Sequence, residues 1–413
     1  MIKFNFQKTS QIPPKFFPRK TEINNYLTKL RQVLKGKNYN IPESFLLLPK
    51  ESIGTVKQMF SYYNKFQLIL LCGVGGSSLG AQAVYEALKN KKSLKKLVVL
   101  DSLNPLFFKK SLELSKKVKK EKLAIFFISK SGKTFETTAN FFALLPFIKK
   151  YQPDVFVISD ENSILWQYGK KNNFETFSIP KAVGGRYSLF SLAHLLPLSF
   201  LGVNIKGLLF GAKEANRFCL MENPLKNLAL TSALTIFYHY QKGKNIYSNL
   251  VFPPDLEYFG KWYVQLMGES LGKKGKGITP TITTGTTDFH AIGQLYFDGP
   301  RDKLINFIFV ENLGVDYKIG DLNDFSSIFP DIKGKKLWQL NRAIFEGVKR
   351  AYLKKGLPFT ETILPELDEK NLGFLFQMKM IEVILLAKLM KVNAFDQPGV
   401  ELYKEETRKI LKQ

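Results

Sequence analysis

The chain has 413 residues, of which 45% are apolar and 23% charged, and its formal net charge is +26. This composition indicates a globular protein with a large buried core and excludes a disordered chain, and the length favours two domains over one. The positive charge does not by itself indicate a nucleic-acid partner, because the lysine runs lack interleaved aromatic residues and no helix-turn-helix or zinc-finger spacing appears; we expect a basic surface that steers anionic small molecules.

In the first half of the chain, short apolar runs alternate with helical patterns. Residues 1–45 are polar and irregular. The predicted strands then cover 66–72, 96–100, 123–129 and 154–159, and the predicted helices cover 81–89 and 135–149. The apolar stretch 189–203 predicts a buried helix with a break at Pro197, and it is too short for a membrane span. Strands that alternate with helices predict a parallel sheet covered on both faces.

The second half repeats this theme less clearly. Helical patterns cover 225–241, 257–267, 338–354 and 374–390, and strand patterns cover 249–252 and 304–310. A helical stripe also follows Pro398, from Val400 to Ile410. The composition places a domain boundary near residues 205–225.

The chain contains two cysteines, Cys72 and Cys219, and its N-terminal residues lack the apolar run of a secretory signal. The large core predicted from the composition needs no disulfides for stability. We therefore expect a protein of the reducing cytoplasm with no membrane partner.

Two loops have the composition of phosphate-binding loops. Gly73–Gly80 (GVGGSSLG) and Ser129–Thr134 (SKSGKT) each follow a predicted strand and open a helix, where backbone amides and the helix N-terminus favour an anion. Ser78 replaces the last glycine of a dinucleotide fingerprint, and Phe127 stands where a P-loop requires its first glycine. Taken alone, each loop is equally compatible with a tight turn that binds nothing. Together they predict a ligand crevice at the carboxyl ends of the strands.

Three further segments contain groups suited to proton transfer. Arg186 follows two glycines and could stabilise an oxyanion. Glu269 ends a helical pattern, and His290 follows Thr287 and Asp288, which suit a helix N-cap. Considered singly, each of these side chains, like Lys404 near the C-terminus, is as well explained by a solvated surface position.

Six ordered motifs resemble the phosphoglucose isomerase family in its shorter bacterial form. They are GVGGSSLG at 73–80, SKSGKTFET at 129–137, GGRYSLFS at 184–191, GESLGK at 268–273, GTTDFHAIGQ at 285–294 and FDQPGVELYK at 395–404. The chain departs from the family pattern at Lys133, Phe289 and Ala291.

The resemblance implies an α/β fold with two sugar-isomerase (SIS) type domains, each a mainly parallel sheet flanked by helices, and a C-terminal helical tail. We expect an N-terminal segment at 1–45, a first domain at 46–210, a second at 211–390 and the tail at 391–413. The implied activity is the reversible conversion of glucose 6-phosphate to fructose 6-phosphate, without a metal or organic cofactor. The resemblance also implies a homodimer with shared active sites.

The resemblance implies roles for the residues of this chain that match the family's motifs by position. Glu269 would be the catalytic base, Arg186 would stabilise the cis-enediolate, and His290 of the partner subunit would open the sugar ring with Lys404. The substrate would be held by Gly76, Ser77, Ser129, Lys130, Ser131, Thr134 and Gln397. Two alternatives stay open: an isomerase that accepts both glucose and mannose 6-phosphates, and a sugar-phosphate-binding protein without catalysis.

Overall fold

Two five-stranded sheets form the framework of the protein. The computed structural model describes all residues except 1, 7–8, 14–15, 17–20, 52–53, 55, 57–64, 93, 224–225, 321–327 and 329. Its strands are β1 (Lys3–Asn5), β2 (Leu68–Cys72), β3 (Lys96–Leu100), β4 (Leu123–Ser129), β5 (Asp154–Ser159), β6 (Glu175–Ser178), β7 (Ile246–Val251), β8 (Thr279–Thr284), β9 (Lys303–Asn312) and β10 (Phe359–Glu366). The sheets have the orders β3-β2-β4-β5-β6 and β1-β10-β9-β7-β8.

The first sheet is parallel throughout. Its central strands β2 and β4 are buried along their whole length, as expected when helices cover both faces. Because β3 and β4 lie on opposite sides of β2, the chain reverses its direction of winding at β2. Ligands bind open α/β sheets at this kind of switch point, outside the carboxyl ends of the strands.

The second sheet is parallel from β10 to β8, and β1 pairs antiparallel with β10 at one edge. At the opposite edge, β8 contains Pro280, which has no N–H to donate to a ladder and is therefore suited to an edge strand.

Helices surround both sheets and pack between them. In the described part of the chain they are α1 (Thr21–Lys35), α2 (Leu48–Glu51), α3 (Leu79–Leu88), α4 (Pro105–Lys116), α5 (Phe135–Tyr151), α6 (Ile164–Lys171), α7 (Leu192–Leu201), α8 (Ile205–Cys219), α9 (Leu228–Gln241), α10 (Glu257–Leu271), α11 (Gly285–Asp298), α12 (Leu337–Lys354), α13 (Glu369–Met390) and α14 (Glu401–Ile410). Almost every side chain of α13 is buried, so this helix forms the centre of the largest hydrophobic core.

Helices α8 and α13 approach each other so closely that two glycines are required. A Cβ atom on Gly211 would lie 1.8 Å from the carbonyl oxygen of Lys370, and one on Gly373 would lie 1.9 Å from that of Leu208. Both distances are far below van der Waals contact. The close approach lets backbone pack against backbone in the centre of the protein, where any added methyl group forces the helices apart.

The predicted α/β class, with two mainly parallel sheets and a C-terminal helix, is confirmed, whereas the proposed domain boundaries stay predictions. The predicted break at Pro197 is wrong: α7 continues through it, because nearly all of its side chains are held in the core. The helix that bears Glu269 continues to Leu271. Thr287 and Asp288 lie inside the first turn of α11, not at its cap. No described helix is both long and apolar enough to cross a membrane.

The glycine pair gives a direct test of the helix packing. We expect Gly211→Ala or Gly373→Ala to lower the free energy of unfolding by about 1–3 kcal/mol, the usual cost of overpacking a core. The matched control is Gly347→Ala on the exposed face of α12, where nothing lies within 4 Å of an added Cβ. That change should raise stability by up to about 1 kcal/mol, since alanine is the better helix former. Urea unfolding measures all three; equal stabilities would contradict the described approach of α8 and α13.

Candidate active site

The first loop, Gly73–Gly80, follows β2 and forms one turn of 3-10 helix, Gly75–Ser77, before α3 begins at Leu79. The amides of Gly75 and Gly76 have no acceptor among the described residues. Ser77 is half-buried beside them. The loop therefore offers free backbone donors and a hydroxyl at the N-terminal end of a helix, which is an arrangement suited to a phosphate group.

The second loop, Ser129–Thr134, follows β4, the strand next to β2. The hydroxyls of Ser129 and Thr134 lie 2.9 Å apart, and the Ser131 hydroxyl accepts from the amide of Lys133 at 3.3 Å. Three hydroxyl groups are thus grouped in the short span between β4 and α5. Because β2 and β4 are neighbours, the two loops lie at the same end of the first sheet, on either side of its switch point.

Lys130, in the second loop, points its ammonium at protein backbone. Its Nζ donates to the carbonyl oxygens of Lys181 at 2.6 Å and Val183 at 2.9 Å. Burial lowers the pKa of Lys130, and the carboxylate of Asp160 acts in the opposite direction. Two of the three ammonium donors are occupied, so this lysine fastens the second loop to the segment just before Gly184.

Arg186 is the centre of the site and is only 3% exposed. A guanidinium has five N–H donors, and here every one of them has an acceptor. Nε donates to the Ser270 hydroxyl at 3.0 Å, Nη1 to Glu269 Oε2 at 2.9 Å and to Gln397 Oε1, and Nη2 to the carbonyls of Ala394 at 2.7 Å and Asp396 at 3.0 Å. The arginine therefore joins the Gly184–Ser188 turn to α10 and to the C-terminal tail.

The carboxylate of Glu269 is held at both oxygens. Oε2 lies on Arg186, and Oε1 accepts from Gln265 Nε2 at 2.8 Å, one helical turn earlier on α10. Gln265 in turn lies against the first loop, since a Cβ on Gly75 would come within 2.7 Å of its Nε2. The side chain of Glu269 keeps 27% of its exposure, so a fixed carboxylate faces the space beside the first loop.

The first loop contacts the Gly184–Ser188 turn, here called the arginine turn because it bears Arg186, through the backbones of both segments. A Cβ on Gly76 would lie 2.4 Å from the carbonyl carbon of Gly185 and 2.7 Å from the amide nitrogen of Arg186. No side chain fits between them, so only a glycine at position 76 allows the first loop to approach the arginine turn this closely. This contact fixes the distance between the two functional segments.

The C-terminal tail lies against the same site. Lys273 donates to the carbonyls of Glu269 and Ser270, each at 2.8 Å, and pairs with Asp396 at 3.3 Å. Gln397 reaches Arg186 from an exposed position. On α14, the guanidinium carbon of Arg408 lies 5.8 Å from the ring centroid of Phe135, which directly follows the second loop. The tail thus extends from the arginine to the second loop.

Lys404 and His290 are not joined to this cluster within the described single chain. Lys404 Nζ pairs with Glu401 at 2.7 Å on the exposed face of α14. His290 is exposed in the first turns of α11, and no hydrogen bond or ion pair among the described residues connects it to Arg186 or Glu269. The structure therefore brings together Arg186, Glu269, Gln397 and both loops, and leaves these two residues apart.

Sequence reasoning missed several residues that hold the site together. They are Gln265, Ser270 and Lys273 on and after α10, Tyr187, whose hydroxyl lies 2.9 Å from that of Ser270, and His194 on α7. Only Gln265 had a readable signal, because a residue four positions before Glu269 lies on the same face of a helix. The contacts of Tyr187 with Ser270, of Lys273 with Asp396 and of His194 with Ala81 cross between elements that the sequence does not relate.

A glutamate held against a buried cation, beside two loops of an α/β sheet whose amides and hydroxyls suit an anion, is the arrangement expected of an enzyme that moves protons on a phosphorylated substrate. The chain belongs to the phosphoglucose isomerase family: the model of that family matches residues 60–413. The resemblance predicted from the six motifs is thereby confirmed.

Individual relatives agree with the family assignment. A probable glucose-6-phosphate isomerase from Methanococcus maripaludis is 33% identical over 396 residues, covering 94% of this chain and 89% of that protein. A glucose-6-phosphate isomerase from Methanocaldococcus jannaschii is 34% identical and covers 88% of each chain. A hypothetical protein of solved structure from Thermus thermophilus shares 29% identity and the whole length of both chains, with a TM-score of 0.87. A glucose-6-phosphate isomerase from Chlamydia trachomatis shares the fold at 18% identity, with a TM-score of 0.85 over 100% of this chain and 88% of that one.

The contact between Gly76 and Gly185 can be tested by adding one methyl group. Gly76→Ala should weaken binding of fructose 6-phosphate by at least about tenfold, because the first loop and the arginine turn must separate. The matched control is Gly184→Ala, where the nearest atom to an added Cβ is 4.0 Å away and φ is −68°. Calorimetric titration with fructose 6-phosphate measures both variants. Unchanged affinity in Gly76→Ala would contradict the described contact.

Proposed function

We propose that this protein interconverts glucose 6-phosphate and fructose 6-phosphate in the cytoplasm, with Glu269 as the base that carries the proton. The observation that supports this most strongly is the carboxylate of Glu269, which is fixed 2.9 Å from the buried guanidinium of Arg186 and still reaches solvent. Isomerisation of an aldose to a ketose needs both groups: a positioned carboxylate base and a cation for the oxygen that becomes negative.

The reaction moves one proton between adjacent carbons. Glu269 takes the proton from carbon 2 of the open-chain aldose, and the electron pair of that C–H bond forms the double bond of a cis-enediolate while the carbonyl oxygen gains negative charge. The proton of the carbon 2 hydroxyl then passes to the oxygen on carbon 1. The same carboxyl group returns its proton to carbon 1, where the electron pair of the double bond forms the new C–H bond, and carbon 2 becomes the carbonyl of the ketose. Gln265 holds Oε1 and Arg186 holds Oε2, so the base is oriented before the substrate arrives.

Arg186 must exchange a partner to act on the enediolate. All five of its donors are occupied, so an oxyanion can bind only where an acceptor leaves. Gln397 is the acceptor that departs most easily, because it is a neutral and exposed side chain. By contrast, Glu269 is held by an ion pair, the Ser270 hydroxyl is buried, and the carbonyls of Ala394 and Asp396 belong to the backbone. We therefore assign Gln397 as the group that the substrate displaces from the guanidinium.

The phosphate of the substrate is remote from the reacting carbons. The amides of Gly75 and Gly76, the hydroxyl of Ser77 and the hydroxyls of the second loop would hold it, with Lys130 acting through the backbone that it fastens. Binding energy at the phosphate then keeps carbons 1 and 2 in register with Glu269 during proton transfer.

We propose that a homodimer completes the site. His290 lies exposed on α11 and does not join the cluster of its own chain, so a second copy has to supply a histidine for the sugar ring to be opened beside Glu269. Lys404, on the tail that passes the second loop, would assist that step.

Glu269→Gln tests the assignment of the base. The variant should lose about 10²–10⁴-fold in kcat, because an amide cannot accept the proton, while its affinity for fructose 6-phosphate changes little. The matched control is Glu257→Gln at the opposite end of α10, where the side chain pairs with Lys261 at 2.6 Å on the surface. A coupled assay of fructose 6-phosphate conversion with a chelator present reads turnover, and calorimetry reads binding. Full turnover in Glu269→Gln would rule out this role; binding without turnover in the unmodified protein would indicate a non-catalytic sugar-phosphate-binding protein.

Mixing two inactive variants tests the shared site. Glu269→Gln and His290→Ala, each inactive alone, form hybrid dimers in which one site has an intact Glu269 and the partner's intact His290. Random exchange of subunits should restore about a quarter of the unmodified activity, since half of the dimers are hybrid and each hybrid has one working site. If both residues act within one chain, every site in the mixture is defective and no activity returns.

A further inference from the structure

His194 lies on α7 with its ring 1% exposed, directly beneath the first loop. Its Nδ1 is 3.1 Å from the amide nitrogen of Ala81, and its Nε2 is 3.0 Å from the carbonyl oxygen of Gly76 and 3.2 Å from the hydroxyl of Ser188. One ring therefore contacts the start of α3, the phosphate-binding loop and the turn that bears Arg186. None of the six motifs assigns it a role.

The hydrogen-bond partners of His194 determine which of its two ring nitrogens carries the proton. An amide N–H can only donate, so Nδ1 must be the unprotonated nitrogen that accepts from Ala81. The proton is then on Nε2, which donates to the Gly76 carbonyl. The hydroxyl of Ser188 already donates to the Gly185 carbonyl at 2.7 Å, so it too can accept from Nε2. Burial lowers the pKa of His194 to about 4, which is consistent with a neutral ring at physiological pH.

Nδ1 replaces a missing helix cap. Ala81 is the third residue of α3, and its amide is one of those that a helix N-cap side chain normally satisfies. The N-cap residue, Ser78, provides no such bond, and its buried hydroxyl has no partner in the described part of the chain. A histidine from another helix has taken over this function, and so the N-terminus of α3 is oriented by α7.

Nε2 bridges the two functional segments. Gly76 and Gly185 already touch through their backbones, and the ring draws the Gly76 carbonyl and the Ser188 side chain towards a common donor. Ser188 is two residues from Arg186. A displacement of the ring would therefore move the phosphate-binding loop relative to the guanidinium.

We propose that His194 is a positioning residue for the isomerisation, with Nδ1 orienting the phosphate-binding end of α3 and Nε2 setting the distance from that loop to the Arg186 turn. The proposal rests on the proposed function and adds a residue that touches neither substrate nor reacting atoms. It predicts that the two nitrogens have separable effects, on phosphate affinity and on turnover.

Three substitutions separate these effects. In His194→Asn the amide oxygen can take the place of Nδ1 and keep the cap, but the bridge is lost. In His194→Gln the amide NH₂ can take the place of Nε2 and keep the bridge, but the cap is lost. His194→Phe keeps the bulk of the ring and removes both. The probes are inorganic phosphate, titrated by calorimetry without turnover, and fructose 6-phosphate in the coupled assay.

We expect His194→Phe to weaken phosphate binding and to lower kcat, each by about tenfold. His194→Asn should recover phosphate affinity but not kcat, and His194→Gln should recover kcat but not phosphate affinity. The control is His239→Gln, a second buried histidine whose Nε2 lies 2.7 Å from the carbonyl of Ser10, away from both loops. It should lower stability and leave phosphate affinity and kcat unchanged.

A folded His194→Phe protein with phosphate affinity and kcat within about twofold of the unmodified protein would overturn the proposal. If all three variants fail to fold, Ser188→Ala removes one acceptor of the bridge, and an unchanged kcat in that variant counts against the proposal equally. Absence of isomerase activity in the unmodified protein would instead refute the proposed function, while the calorimetric comparison of phosphate binding would still report on the cap.

Discussion

The buried charge of Arg186 is the constraint on which the rest of the site depends. Moving a guanidinium out of water costs free energy unless its donors are paired, and a buried guanidinium without its charged partner destabilises a protein by several kcal/mol. The acceptors come from α10 and from the tail, which lie more than 80 and 200 residues away along the chain. Folding the arginine into place therefore also places Glu269, so the same interaction that stabilises the fold orients the carboxylate that we propose as the base.

A second buried ion pair in the protein differs from the pair of Arg186 and Glu269 in its setting. Lys379 and Glu382 on α13 are fully buried and lie 2.7 Å apart, and the hydroxyl of Tyr263 donates to the same carboxylate at 2.6 Å. That pair is three residues apart on one helix and is closed to solvent on every side. The pair of Arg186 and Glu269 joins separate segments and leaves the carboxylate partly exposed, as the proposed base would have to be.

The sequence predicted the elements best where periodicity and turn residues agree. The bounds of β3, β4 and β5 match the predicted strands, because each is a short apolar run between polar turns. Strand β8 was missed because its Thr-rich run contains Pro280, which argues against a strand unless the edge position is known. The site segments were found through their glycines and hydroxyls. Their mutual contacts were not found, because the bonds that Lys130 donates to Val183 and Ala81 donates to His194 depend on how strands and helices are ordered in space.

The parts of the site differ in how deeply they are buried and in how they are attached to the body of the protein. Arg186, Ser270 and the backbone contact of Gly76 with Gly185 are buried and cannot shift without disturbing the core. Gln397 and α14 are exposed and are attached to the body through the bonds of Arg186, the pair of Lys273 with Asp396 and the contact of Arg408 with Phe135. Because the guanidinium has no spare donor, an oxyanion that bound it would have to replace one of its five acceptors, three of which belong to the tail. If the substrate displaces Gln397, as proposed, its binding would release one of the bonds that attach the tail, and the hydrogen-bonding capacity of a single side chain would couple the two events.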